Sequence, residues 1–325
     1  MNKDKIKSLH HWTHKWGGAV SEAILESSSN YFYLNEIEGF IGYRLLHGCA
    51  VVLGDPVCAP EKKTLLAEAF QKFCDENMLT SIYFIASKQF ASGAINRISK
   101  IMIEVGEEVI FDPSFDPMEG HKGAKLRNTI HHANHLGLSV KEYIPMNIEL
   151  EKAMLQVGKK WVNARRGPQI YLGHLNFFDD RTGKRWFYLQ DGKGNMTGMA
   201  LLSSLEAYHG WLLKFLITLR GAPRGASELL MVSLLDTLRQ EGCHYLTYGM
   251  IPGDRLGEII GLGKVSTCIA RGGFKLAKWL FHLGERNVYW HKFHPHSEKC
   301  YVLFSSPTMR LKELRALSNA LKIDF

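Results

Sequence analysis

None of the six cysteines (Cys49, Cys58, Cys74, Cys243, Cys268, Cys300) belongs to a Cys-x-x-Cys pair, so the usual ligand spacing of a structural zinc site is missing. Reduced and mostly buried thiols are the expectation. No apolar run approaches the ~18 residues that a membrane-spanning helix needs. Met1–Trp16, with four Lys and three His, has no apolar core of the secretory type. Low-complexity stretches are also absent. Together these absences predict a cytoplasmic protein that meets any membrane from the side.

What is present is a long chain with a good supply of apolar residues. At 325 residues and 46% hydrophobic content, two ordinary domains can each bury a core, whereas one domain would be unusually large. Forty Lys and Arg against 32 Asp and Glu leave a net charge of +8, which favours anionic partners: nucleic acid, anionic lipid or a phosphorylated cofactor.

The periodicity predicts an α/β protein. Ala50–Leu53 reads as the end of a strand, followed by the Gly54-Asp55-Pro56 turn and a helix entered near Pro60 with Leu66, Phe70 and Phe73 on one face. Ser81–Ala86 reads as the next strand. The second half repeats this order, with a strand at Trp211–Leu219, a Gly/Pro loop at Arg220–Ser227, a helix at Glu228–Gln240 and a strand at His244–Met250. Between the two units lie a strand at Lys100–Phe111 and a helix from about Gly120 to Leu136, whose apolar stripe is Leu126, Ile130 and Ala133. Asn147 suits a helix N-cap, with Glu149 and Glu151 in the first turn, and the boundary between domains 1–145 and 146–325 is expected near Pro145. A hairpin is expected at Asp191–Gly194, and a last helix with Leu311, Leu314, Leu317 and Leu321 along one side.

Three segments carry candidate chemistry. The loop Arg220-Gly221-Ala222-Pro223-Arg224-Gly225-Ala226 leads from a buried strand into a helix N-terminus, where free N–H groups and the helix dipole favour phosphate. It resembles the coenzyme A loop of acetyltransferases of the GNAT type, with Pro223 where the first Gly is expected. On the helix before Leu136, His121, Lys125, Asn128, His132 and His135 recur at helical spacing, with Arg127 and His131 beside them. That cationic face suits RNA backbone or lipid headgroups. In Phe274–Pro295, Trp279, Leu280, Phe281, Tyr289, Trp290 and Phe293 alternate with Lys275, Lys278, Arg286 and Lys292. This pattern fits either a bilayer interface or a core with a basic rim.

Six of these pieces, in fixed order, resemble the C-terminal catalytic domain of phosphatidylglycerol lysyltransferases. They are Gly54-Asp55-Pro56; Gly106-Glu107-Glu108 before Asp112–Phe115; Gly120–Arg127; Ala222-Pro223-Arg224-Gly225; Gly249-Met250-Ile251-Pro252; and Lys292-Phe293-His294-Pro295 leading to Tyr301. The resemblance implies tandem GNAT-like folds, mixed sheets flanked by helices, an aminoacyl-tRNA donor and a lipid hydroxyl acceptor, with neither metal nor coenzyme A. On that basis Arg220 or Lys292 would steady negative charge and Glu228 or Tyr301 would stand near the proton transfer. Lys122, Lys125, Arg127, Arg224 and Gly225 would bind substrate. The family's membrane portion is not in this sequence, so anchorage is expected from the surface, at the inner membrane face, or from a membrane-protein partner. Lys214–Leu219 lacks the acidic residue and Arg often found before the Pro-x-Gly loop, and His296-Ser297 stand where a Trp is common. An acyl-coenzyme A-dependent N-acyltransferase and a non-catalytic RNA- or membrane-binding module are the alternatives.

Overall fold

The computed structural model describes residues 3–25, 29–144, 146–164, 177, 178, 180–280 and 287–320. The first half contains α1 (Lys3–Trp16), β1 (Asn30–Phe32), β2 (Gly39–Leu46), β3 (Cys49–Leu53), β4 (Val57–Cys58), α2 (Lys63–Glu76), β5 (Thr80–Ser87), α3 (Lys88–Ala94), β6 (Ile101–Phe111), α4 (Ala124–His135) and β7 (Ser139–Glu142). After it come α5 (Ile148–Asn163), β8 (Lys184–Gln190), β9 (Met196–Leu205), β10 (Gly210–Thr218), α6 (Ala226–Gln240), β11 (Leu246–Pro252), β12 (Ile259–Ile260), α7 (Lys264–Leu280), α8 (Asn287–Trp290), β13 (His296–Phe304) and α9 (Leu311–Ala320).

The strands form one mixed sheet in the order β1-β2-β3-β5-β13-β6-β11-β10-β9-β8-β7, with β4 added to β2 and β12 to β6. The expected α/β class is therefore observed. The expected units on either side of Pro145, itself outside the described residues, share this sheet. β13, from the end of the chain, lies antiparallel between β5 and β6, while β7 pairs with β8 at the far edge.

The local signals operate as expected. The Asn147 side chain accepts from the Leu150 N–H at the start of α5, and Asp191 Oδ1 accepts from the Lys193 and Asn195 N–H groups in the β8–β9 hairpin. Leu66 and Phe70 of α2 are buried, with Phe73 packed at the edge of the same core. α6 buries residues on nearly every side, including Leu229, Leu230, Leu234, Leu235 and Leu238, so it is a central helix clamped between the sheet and α4. The terminal helix is where expected, but its leucine side is not the one that meets the core. Its buried face is Glu313, Ala316 and Ala320, with Leu317 half-buried, while Leu311 and Leu314 are exposed; Leu321 lies outside the described residues. Polar contacts set this orientation: buried Arg44 of β2 donates to the Ala320 carbonyl at 2.7 Å, and Glu313 accepts from the Arg310 N–H at 2.8 Å.

Candidate functional site

β10 and β11 are parallel neighbours but pair only at Trp211–Leu246 and Leu212–Thr247. Beyond that point β10 runs on to Thr218 and β11 to Pro252, so the sheet opens a wedge between them. The segment around α8 packs against Phe111 of β6 and Tyr248 of β11. Trp290 and Phe293 are buried in the core formed by α4, α6 and the sheet, and Trp290 lies 4.1 Å from the Tyr248 ring, centroid to centroid. Of the two readings of the aromatic segment, core is therefore correct for these residues, and Tyr289 is partly buried against the same cluster. Phe281 and Arg286 lie outside the described residues, as do the side chains of Lys278, Trp279 and Leu280.

This packing brings Lys292 to the N-terminus of α6. Its Nζ stands 2.7 Å from Glu228 Oε1 and 4.9 Å from the centre of the Tyr289 ring, and the Ser227 hydroxyl donates to Glu228 Oε2 at 2.9 Å. Burial pushes the Glu228 carboxyl up, but the Lys292 ammonium, the residue's own N–H and Ser227 outweigh it and hold the acid below its usual range. Glu228 thus supplies the negative charge that a helix N-terminus favours, at the spot expected to cradle phosphate.

The turn before α6 ties that helix to α4. Gly225, at φ +88°, sits so close to α4 that a Cβ would lie 2.9 Å from the Thr129 carbonyl oxygen and 3.2 Å from the Ala133 Cβ. This contact brings Arg224 beside Lys125, Asn128, Thr129 and His132, which together line an open groove of about 470 Å³. Four of the predicted residues are thus assembled in two adjoining pairs: Arg224 with Lys125, and Glu228 with Lys292. Arg220, in the exposed turn after β10, and Lys122, exposed before α4, flank them in sequence.

Two predicted residues are placed elsewhere. Arg127 turns back on its own chain, donating to the carbonyls of Met118 and of Gly120, the latter at 2.8 Å, so it clamps the turn that leads into α4. Tyr301 is buried in the other half's core with Tyr83, Phe90 and Leu303, and its charged neighbours are Glu104, Glu258 and Lys299. Asp55 is also structural: it accepts from the Ser87 N–H at 2.9 Å, from the Ser87 hydroxyl at 2.7 Å and from Lys63 at 3.0 Å.

A second polar centre lies on the opposite face of the sheet, because Glu108 alternates with Val109 and Phe111, which point into the α6 core. Glu108 Oε1 accepts from Thr247 Oγ1 at 2.7 Å and from the Tyr245 hydroxyl at 3.1 Å. Its pKa is raised: burial outweighs those two hydrogen bonds, and Glu298 and Asp55 add like charge. Tyr208 stacks on Tyr245 at 4.7 Å. The motif order pointed to Glu108. Nothing local pointed to Tyr208 or Tyr245, which reach it from 100 and 137 positions away in sequence.

The family model described as "Phosphatidylglycerol lysyltransferase, C-terminal" matches residues 21–304. The chain belongs to this family. Phosphatidylglycerol lysyltransferases of Staphylococcus epidermidis and Staphylococcus aureus are 26% identical over 164 residues and 25% over 175, which is 50% and 53% of this chain. Those stretches are 19% and 21% of the two relatives, so the chain spans about a fifth of their length. Among solved structures, the C-terminal domain of an Agrobacterium fabrum protein named as a lysylphosphatidylglycerol synthetase superposes with a TM-score of 0.78 at 18% identity, covering 99% of this chain and 96% of that one. L-PGS from Bacillus licheniformis gives 0.76 at 17%, covering 98% and 97%, and FemX gives 0.58 at 8%, covering 98% of each. The fold of this family member is accordingly the tandem GNAT-like mixed α/β fold that the motifs implied.

Proposed function

We propose that this chain is an aminoacyltransferase that moves an aminoacyl group from aminoacyl-tRNA to a hydroxyl of a phosphatidylglycerol-like lipid, or to another hydroxyl or amine acceptor. The observation that carries the reading is the Glu228–Lys292 pair, one helical turn from Arg224 and its cationic groove, in a chain of this family. Lys122, Lys125 and Arg224 would hold tRNA phosphates, which needs positive charge more than close geometry. Arg220, in the same loop, would steady phosphate charge.

The donor ester is already activated, so the protein need only align it and stabilise charge. The acceptor oxygen attacks the ester carbonyl carbon, the ester bond to the tRNA ribose breaks, and the ribose oxygen leaves as a hydroxyl, taking up the proton the acceptor loses. Lys292 would steady the oxyanion of the tetrahedral intermediate. Glu228, held ionised by its partners, is a weak proton acceptor at neutral pH. Its role in this reading is to orient Lys292 and the acceptor beside the site of proton transfer. The same loop is less suited to a coenzyme A pyrophosphate, because Pro223 has no N–H and the Glu228 carboxylate occupies another donor.

The test is incubation with a pool of radiolabelled aminoacyl-tRNAs and phosphatidylglycerol vesicles. Label should enter the organic phase with the parent chain and fail to do so with Lys292→Ala. Tubes in which the tRNAs stay charged and no label moves would remove lipid aminoacylation. RNA binding without turnover in that case would favour a non-catalytic module.

A further inference from the structure

Among the described side chains, α7 is anchored along one stripe. Ala270 is buried, and Leu262 just before the helix and Phe274 within it rest on the core that includes Val105, Leu256 and Phe304. At about 100° per residue, Val265 and Ile269 fall on the opposite side, and they are 74% and 66% exposed. Exposed Cys268 and Gly272 continue that side, and exposed Lys264, Arg271 and Lys275 run along one flank of it. The helix, KVSTCIARGGFKLAKWL, contains no acidic residue. Single exposed apolar residues are ordinary. Here two of them stack at i and i+4 beside a row of cations, on a helix with no acid of its own whose other face rests on the core.

We propose that α7 is the membrane-docking surface of this protein, lying in the plane of an anionic bilayer. Val265 and Ile269 enter the boundary between headgroups and acyl chains, while Lys264, Arg271 and Lys275 meet lipid phosphates. Charge selects this occupant. A second copy meeting the helix across a two-fold axis would set the cationic row against itself, whereas anionic headgroups neutralise it. The proposal rests on the surface of α7 and stands apart from the aminoacyl-transfer reading.

Flotation of the full chain with phosphatidylcholine vesicles, made with and without phosphatidylglycerol, tests it. The chain should float with the anionic vesicles and be released by salt. Ile269→Asp should lower the partition coefficient by about tenfold or more, since the burial of one large apolar side chain is lost, and Arg271→Ala or Lys275→Ala by about fivefold each. Thermal midpoints of these exposed-site variants should match the parent. A solvatochromic dye on Cys268 should shift to the blue with anionic vesicles alone. Failure to float on anionic vesicles, flotation insensitive to Ile269→Asp and Arg271→Ala, or self-association that Ile269→Asp abolishes would each overturn the proposal. The two readings fail separately. Vesicle binding without label transfer leaves the docking surface standing, and transfer to a short-chain, water-soluble acceptor by a chain that never floats keeps the transfer reading.

Discussion

Replacing Gly225 with alanine tests whether the α4–α6 contact organises the groove. At φ +88° an L-residue is strained, by about 1–2 kcal/mol. The added Cβ would also stand 2.9 Å from a backbone oxygen of α4 and 3.1 Å from Thr129 Cγ2, and one methyl forced into a tight contact costs about 1–3 kcal/mol. Because moving the turn relieves part of both, about 2–4 kcal/mol is expected in total. Gly221→Ala in the same loop is the control: Gly221 has no positive φ and nothing within 4 Å of an added Cβ, so its effect should stay within about 0.5 kcal/mol. Urea unfolding reads the difference; with a slope near 3 kcal/mol/M, Gly225→Ala should lower the midpoint by about 1 M relative to Gly221→Ala. Since Gly225 also places Arg224 beside Lys125, tRNA affinity should fall in the first variant and not in the second. Equal midpoints for the two variants would refute the reasoning.

Other consequences can be read with the same purified chain. Glu228 is held below the usual carboxylate range, so its contribution to stability is present above the unfolded-state value and lost as pH falls through the folded one. The deficit of Glu228→Gln against the parent should therefore shrink on acidification below about pH 4, in thermal midpoints taken across pH. Glu108 has the opposite sign. Its raised pKa means that ionisation weakens the fold, a cost absent below the ordinary glutamate value and growing as pH rises through the folded one. Glu108→Gln, whose amide oxygen can still accept from Thr247 and Tyr245, should gain on the parent as pH rises above about 4; a difference that does not change with pH would contradict the burial argument. Lys125→Ala and Arg224→Ala should each weaken tRNA binding and lower the slope of log affinity against log salt by about one. Unchanged slopes would take those residues out of the phosphate contact.

Much of the local architecture was legible because it depends on neighbours in sequence. Asn147 caps α5, the Asp191 turn closes its hairpin, and the strand–loop–helix–strand order recurs in each half, all through contacts of a few residues. The cationic face of α4 was equally legible, since helical spacing alone puts Lys125, Asn128 and His132 together. The leucines of α9 share a side as their spacing predicts, but periodicity does not record which side meets the core. Arg44 and Glu313 made that choice.

The sequence by itself determined the elements, the anion-favouring loop before α6, the basic face of α4 and an ordered motif set that the family match bears out. Only the tertiary structure decided which of those motifs meet. It set β13 between β5 and β6, which carried Tyr301 into the opposite half. It also packed Trp290 and Phe293 into the core of α4, α6 and the sheet, which brought Lys292 onto Glu228. In α7 it turned Val265 and Ile269 outward. The physical reason is that strand order and helix orientation come from pairing and packing between segments far apart in the chain, whereas composition and periodicity report only the face each segment offers.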